Sequence, residues 1–262
     1  MPLIHEQRGA VAVLTLSRPD KRNAWGTDYH EALKTLMPRL EQDRETRCVV
    51  LTGDEAGGAF CAGADMKNEA THTLEGIGEF VGGLRASRRV AAFTLLSDFP
   101  KPIVAAVNGY AVGIGAIITF CCDLIVASDK AEWRLPQVAL GLLPADAGAV
   151  RLARSVGKGL AMRTALGYPL KADEAHRSGL AQWLVPHEQT LAKAMEVAEH
   201  IATLPPLAVL MTKESIIAGM EIPLPWAQLG DQYRFAALAM TEDKAEGHAA
   251  WRERRKPRFK GR

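Results

Sequence analysis

The apolar positions of this chain fall into two rhythms, short β-branched runs and stripes at helical spacing, and their order along the sequence predicts the elements. "AVAVLTLSR" and "RCVVLTG" are runs closed by turn residues and predict strands. Between them, "TDYHEALKTLMPRLEQD" puts Leu33, Leu36, Met37 and Leu40 on one helical stripe, with Thr27 or Asp28 as the N-cap. "GDEAGGAFCAGADMKNEA" is too glycine-rich for regular structure at its start and predicts a loop that passes into a long helix ending at Leu96, before "SDFPKP".

"PIVAAVNG" predicts a third strand, followed by a glycine-bearing turn and an apolar helix in "NGYAVGIGAIITFCCD". "CDLIVAS" and "AEWRLP" predict two more short strands around a turn. "VGKGLAMRTALGYPLKADEAHRSGLAQWLVP" predicts two short helices and a strand. From "EQTLAKAMEVAEHIATLPPLAVLMTKESI" onward the pattern is helical, with a break at Pro205 and Pro206. The fold class that follows is α/β, a core of strand and helix units capped by a helical C-terminal region.

Composition narrows the function classes. Hydrophobic residues are 48% and charged residues 24%, an ordinary globular balance. A net charge of +2 gives no reason to expect nucleic acid or membrane as partner, although "RERRKPRFKGR" is a local basic run. The four cysteines, Cys48, Cys61, Cys121 and Cys122, lack CxxC spacing and a metal pattern, and are expected as buried thiols. The N-terminal segment lacks a charged head with a long apolar run, so a cytoplasmic protein is the expectation. His5, His30, His176, His187, His200 and His248 show no pairing that suggests a nucleophile or a metal site.

The glycine turns carry the candidate chemistry. Backbone N–H groups aimed from two loops at one oxygen stabilise negative charge there without a cation, and a helix beginning after the turn adds its positive end. "CAGAD" around Ala64 and "GIGA" around Ile114 are the two candidates, and both are also read as ordinary tight turns. "GIGAII" has Ile118 where the dinucleotide fingerprint needs its third glycine, and there is no GxSxG elbow or GxxxxGK[ST] phosphate loop.

"FCAGADMK", "PIVAAVNGYAVGIG", "LGLLPADAG" and "VGKGLAMRTALGYPLKADEAHRSGLAQWLVP" together resemble the enoyl-CoA hydratase/isomerase, or crotonase, superfamily, over essentially the whole chain. The resemblance implies a crotonase-like spiral of ββα units over residues 1–195 and a helical oligomerisation region over 196–262, forming a homotrimer or hexamer. It implies an acyl-CoA thioester as substrate, coenzyme A being part of that substrate, with no separate cofactor and no metal. The thioester oxygen would be held by the N–H groups of Ala64 and Ile114. Coenzyme A contacts would map to Arg22, Ala24, Ala62, Asp65, Met66 and Lys67, with Phe235 and Arg254 from a neighbouring subunit. Ile117, Ile118 and Trp133 would line an apolar acyl pocket.

Hydratases of the superfamily carry two glutamates that manage water and proton. At those places this chain has Ile117 and Gln137. Asp146 is the carboxylate in the region where members lacking the glutamates often place an aspartate, although a shift of one residue would put Ala145 there. Asp146 also suits a helix N-cap. As an acid/base, it would be raised in pKa by Leu142, Leu143, Ala145 and Ala147 around it. Gln137 could orient a water. Glu69 and His72 are lesser candidates after the first turn, Trp133 and Arg134 are read as either site or packing residues, and Asp123 as a cap or strand start. Three functions follow: a double-bond isomerase using Asp146, a hydratase or C–C hydrolase holding water with Asp146 and Gln137, and a non-catalytic acyl-CoA binder.

Overall fold

The structure is a computed structural model that describes residues 2–65 and 92–262. Its main sheet has six strands: β1 (Leu3–Arg8), β2 (Val11–Leu16), β3 (Cys48–Gly53), β5 (Ile103–Val107), β7 (Leu124–Ser128) and β10 (Trp183–Val185), in that spatial order. β1 and β2 form an antiparallel hairpin, and every later pairing in the sheet is parallel. A second, four-stranded sheet joins β4 (Ala59–Cys61), β6 (Tyr110–Val112), β8 (Glu132–Arg134) and β9 (Leu170–Lys171).

The near-continuous apolar runs of β2, β3 and β5 arise because both faces of the main sheet are covered. On one face Ala12, Leu14, Leu16 and Leu51 pack with Tyr29, Leu33, Met37 and Leu40 of α1 (Thr27–Gln42). On the other, Val11, Val13, Val50, Val104 and Val126 pack under Ala194, Met195, Val197 and Ala198 of α7 (Thr190–Ala202). Each fully buried Leu or Met on these faces contributes about 1.5–3 kcal/mol relative to exposure. The expected division between residues 195 and 196 falls inside α7, whose buried residues on both sides of that point share one cluster.

Several sequence expectations change in detail. The cap of α1 is the backbone of Gly26, with no capping side chain; Asp28 instead accepts from the adjacent Tyr29 N–H at 3.0 Å. β1 has only Leu3 buried, so its sequence carries no two-sided apolar signal. β4 and β6 are three-residue strands inside segments that read as loop and turn. β7 and β8 do not pair around their turn: β7 lies in the main sheet and β8 in the second. The loop-and-helix segment before Leu96 is described up to Asp65 and again as α2 (Ala92–Ser97).

The site-bearing helices follow. α3 (Ile114–Phe120) leaves β6 directly, and α4 (Gly148–Val156) and α5 (Lys158–Ala165) follow β8. α6 (Ala172–Arg177) precedes β10, and after α7 come α8 (Pro206–Gly219), α9 (Leu224–Ala239) and α10 (Glu242–Glu253). Pro206 opens α8, where its missing N–H costs nothing, and α7 and α8 meet at 110°. An ion pair fixes α8 to the sheet: Lys213 Nζ donates to Asp123 Oδ2 at 2.7 Å, and the same oxygen accepts from Ile103 N–H at 2.7 Å. Asp123 therefore stands at the start of β7 as a tether between elements rather than as a helix cap.

Candidate active site

Two turns are pressed together at the junction of β4, β6 and α3. Residues 62–65 run beside 22–25: Ala62 N–H donates to Arg22 C=O at 3.1 Å, Trp25 N–H to Gly63 C=O at 2.7 Å and Asp65 N–H to Trp25 C=O at 2.8 Å. That ladder spends the groups on either side of Ala64 and passes over the Ala64 N–H. Across from it, Gly113 takes φ 52° and ψ −113°, a conformation that glycine reaches readily, and its N–H donates to Arg134 C=O at 2.8 Å. Ile114 is the first residue of α3, so its N–H is one of the donors a helix start leaves unspent.

The closeness of the two turns has a steric signature. A Cβ on Gly115 would lie 2.4 Å from the Cys61 carbonyl oxygen, so α3 begins in direct backbone contact with β4. The N–H groups of Ala64 and Ile114, unspent among the described residues, thus sit on turns locked to each other. Such an arrangement can receive negative charge on an oxygen.

Gln137 lies beside this turn. Its side-chain nitrogen is 3.4 Å from the point where a Cβ on Gly113 would stand, and its Oε1 is buried with no hydrogen-bond partner among the described residues. An amide exchanges no proton near neutral pH, so Gln137 can hold or orient but not act as acid or base.

Ile117, Ile118 and Trp133 back the site instead of facing an open pocket. They are buried to 1%, 0% and 0% exposure, and the Trp133 indole N–H donates to Thr119 Oγ1 at 2.9 Å in the core. Ile117 is the contact between the helix that follows the second turn and the next loop, because its side chain packs on Gly148 at the start of α4. Arg134 is exposed and packs over the Tyr110 ring at 5.3 Å.

Asp146 precedes α4 in a tight turn. Asp146 and Ala147 both adopt left-handed φ, 51° and 59°. The cap position of α4 is Ala147 and no side chain caps the helix, so Asp146 is not its N-cap. Ala145 contributes its carbonyl to Gly148 N–H at 2.9 Å and has no proton to offer. Leu142 and Leu143 do not enclose the aspartate, being 62% and 74% exposed. Asp146 itself is exposed at its outer surface, while packing on its inner side partly desolvates the carboxyl and pushes its pKa up, and the Arg151 guanidinium pulls it back down.

The expected coenzyme A contacts divide. Arg22, Ala24, Ala62 and Asp65 converge along the paired segments 22–25 and 62–65. Asp65 is buried, and its carboxylate is engaged by Lys21 at 2.8 Å and Arg18 at 3.5 Å, so it organises cations. Ala24 is buried and its carbonyl accepts from Arg18 at 3.3 Å, while Arg22 is exposed in a left-handed turn. Met66, Lys67, Glu69 and His72 lie outside the described residues. Phe235 and Arg254 lie on α9 and at the end of α10, both exposed, and no described hydrogen bond or ion pair links them to the turns.

Sequence reasoning missed two groupings. Arg151 reaches the Asp146 carbonyl from α4 at 3.3 Å, a contact that spacing alone does not reveal. His187 is also paired: its Nδ1 is 3.2 Å from Ser128 Oγ and its Nε2 is 3.1 Å from Glu55 Oε2. Ser128 is fully buried, so this chain of groups joins the ends of β7 and β10 and presents no open nucleophile. The cysteines are free thiols, with Cys48, Cys61 and Cys121 buried and Cys122 partly so.

Comparison with known proteins agrees with this geometry. The family profile described as enoyl-CoA hydratase/isomerase matches residues 6–262. The chain is 34% identical over 261 residues to the 2,3-dehydroadipyl-CoA hydratase of Escherichia coli, covering 99% of each chain. It is 36% identical over 257 residues to the short-chain-enoyl-CoA hydratase of Clostridium acetobutylicum, covering 97% of this chain and 95% of that one. The crystal structure of an enoyl-CoA hydratase from Mycobacterium tuberculosis superimposes with a TM-score of 0.89 at 30% identity, covering 100% of this chain and 99% of the other. One from Bacillus anthracis gives 0.90 at 29% identity with both chains fully covered. With a matched profile along nearly its whole length, the crotonase fold and a pair of interlocked glycine turns, the chain belongs to the enoyl-CoA hydratase/isomerase family, whose members act on acyl-CoA thioesters.

Proposed function

We propose that the protein moves a proton through an acyl-CoA enolate, most simply as a double-bond isomerase with Asp146 as its single acid/base. The observation that carries this is the acid inventory around the turns among the described residues: apolar Ile117 and neutral Gln137 at the two glutamate places, Asp65 engaged by Lys21 and Arg18, and Asp146, on the loop seated against Ile117, with its pKa raised. The Ala64 and Ile114 N–H groups take the thioester oxygen and stabilise the charge that develops on it. The Asp146 carboxylate removes a proton from the carbon next to the carbonyl of a 3-enoyl chain. The electrons delocalise over the dienolate, and the resulting carboxylic acid returns the proton two carbons further along. The double bond moves into conjugation, no atom is gained or lost, and the carboxylate is regenerated.

A second reading is hydration, with water held by Gln137 and its proton managed by Asp146. It is favoured by the relatives named as hydratases and by the Oε1 of Gln137 beside Gly113, which has no partner among the described residues. Coenzyme A binding through Arg22 and the 62–65 segment belongs to both readings. So does a homotrimeric or hexameric assembly, supported by exposed apolar residues on α8 and α9 such as Ile216, Trp226 and Phe235.

Mass spectrometry of products from 2-enoyl, 3-enoyl and dienoyl-CoA thioesters in deuterated water, beside Asp146→Asn, tests the proposal. Deuterium entering without added water, and lost in the variant, is the expected result. Net addition of water moves the assignment to hydration, and acyl cleavage moves it to C–C hydrolysis. Binding of every thioester without exchange or turnover overturns the catalytic reading in favour of a binder.

A further inference from the structure

We propose that Arg151 is the positioning residue for Asp146: it grips the left-handed turn that presents the carboxyl and ties that turn to α2 through Ser97. This rests on the reading of Asp146 as the proton carrier, and it accounts for three features that the reading leaves unexplained.

The first is the backbone. Two successive non-glycine residues, Asp146 and Ala147, hold left-handed φ, a conformation that persists only where the surroundings enforce it. Arg151 supplies part of that enforcement, since its Nε donates to the Asp146 carbonyl at 3.3 Å. The second is the tether. Arg151 Nη2 donates to Ser97 Oγ at 3.4 Å, and Ser97 Oγ donates to Asp98 Oδ1 at 3.0 Å, so one planar guanidinium spans the acid turn and the end of α2. The third is placement. Arg151 is the fourth residue of α4, near the positive end of the helix, where a cation is disfavoured. A side chain kept there against the helix field is bound to something other than its own helix.

The electrostatics run the same way. Among the described residues, the charged and titratable groups around this point are Arg151 on α4, Cys121 at the end of α3 and Asp98 after α2. Burial pushes the Cys121 thiol up to about 12, so it stays neutral, and Asp98 lies beyond Ser97. Arg151 is therefore the group that offsets the desolvation of Asp146 and keeps its carboxyl able to ionise.

The test uses the full chain and two variants that separate grip from charge. The Asp146 carboxyl is titrated by carbon-13 NMR, assigned with Asp146→Asn, and turnover of trans-3-hexenoyl-CoA is followed against pH. In Arg151→Gln the carboxyl is expected to titrate at higher pH than in the parent, and the acid limb of kcat/KM to move up with it. In Arg151→Lys, which keeps a cation but loses the planar fork, the titration is expected to stay near the parent's. There kcat should fall roughly ten- to a hundredfold at little-changed KM, as for a misplaced catalytic group. An unmoved carboxyl titration in Arg151→Gln overturns the inference, whatever the activity. If the titration moves while Asp146→Asn retains full activity, Arg151 does hold Asp146 and the catalytic reading of Asp146 is what fails.

Discussion

The side chain of Ile117 occupies the space that any side chain on Gly148 would need: a Cβ there would lie 2.6 Å from Ile117 Cγ1 and 2.8 Å from Cδ1. Ile117 belongs to the helix that starts at the second turn, and Gly148 opens the helix after Asp146. The loop bearing Asp146 is thus seated on the helix that begins at the second turn. Ile117, at the place where the resemblance leads one to expect a glutamate, is in this chain a packing surface.

Gly148→Ala is expected to lower stability by about 1–3 kcal/mol, the usual cost of overpacking. Combining it with Ile117→Ala, which empties the space, is expected to recover part of that loss, because the two residues are in contact and their effects do not add. Urea denaturation of the two single variants and the double variant checks this. Strict additivity would mean that the contact does not position the loop.

Gly115→Ala is expected to act on catalysis more than on binding. Its Cβ would press on the Cys61 carbonyl, and backbone cannot rotate aside as a side chain can. The turns bearing Ala64 and Ile114 must then separate, and losing one donor of such a pair costs roughly a hundred- to a thousandfold in kcat. Calorimetric binding of a non-reactive acyl-CoA beside steady-state turnover separates the two effects. Equal loss in both would assign Gly115 a general structural role.

Much of this fold was legible because its signals are local. The buried runs of β2, β3 and β5 and the stripe of α1 are one-dimensional patterns, and the quoted motifs located both turns around Ala64 and Ile114. What was not legible depends on pairings distant in sequence. β1 has one buried residue, and β4 and β6 exist only because a partner strand lies alongside. Ile118 and Trp133 are as apolar as pocket residues, and only the packing around them shows that they face the core. The Arg151–Ser97 and His187–Glu55 contacts join residues 54 and 132 positions apart, which no spacing rule anticipates.

Lys213→Met is expected to destabilise the protein in a pH-dependent way. Burial already raises the Asp123 pKa, and Lys213 is the cation that opposes the rise. Removing it raises the folded-state value further, so the folded state binds the Asp123 proton more tightly than the unfolded chain does. Stability therefore falls as pH rises through the folded-state value. The Lys213–Asp123 pair is partly buried, so breaking it is expected to cost about 1–3 kcal/mol when the remaining charge is ionised. Urea midpoints should accordingly differ from the parent's more at pH 8 than at pH 5. An equal difference at both would show that the loss comes from packing.

Asp146→Asn and Gln137→Ala should differ sharply in solvent exchange of the substrate hydrogen, because only one of the two side chains can carry a proton. Asparagine keeps the shape of the turn and removes the titrating group, so exchange into an acyl-CoA should fall by about a hundred- to ten-thousandfold. Alanine at position 137 removes an amide that lies beside Gly113 with its Oε1 unpartnered among the described residues, but it leaves the Asp146 carboxyl and both turn N–H groups in place. Exchange in that variant should stay within roughly tenfold of the parent, while any addition of water that depends on the amide is lost. Deuterium incorporation and water addition, measured by mass on the same samples, report the two steps separately. A larger loss of exchange from Gln137→Ala than from Asp146→Asn would place proton handling at a water held by Gln137, and the enolate would then be served from the β8 side of the site.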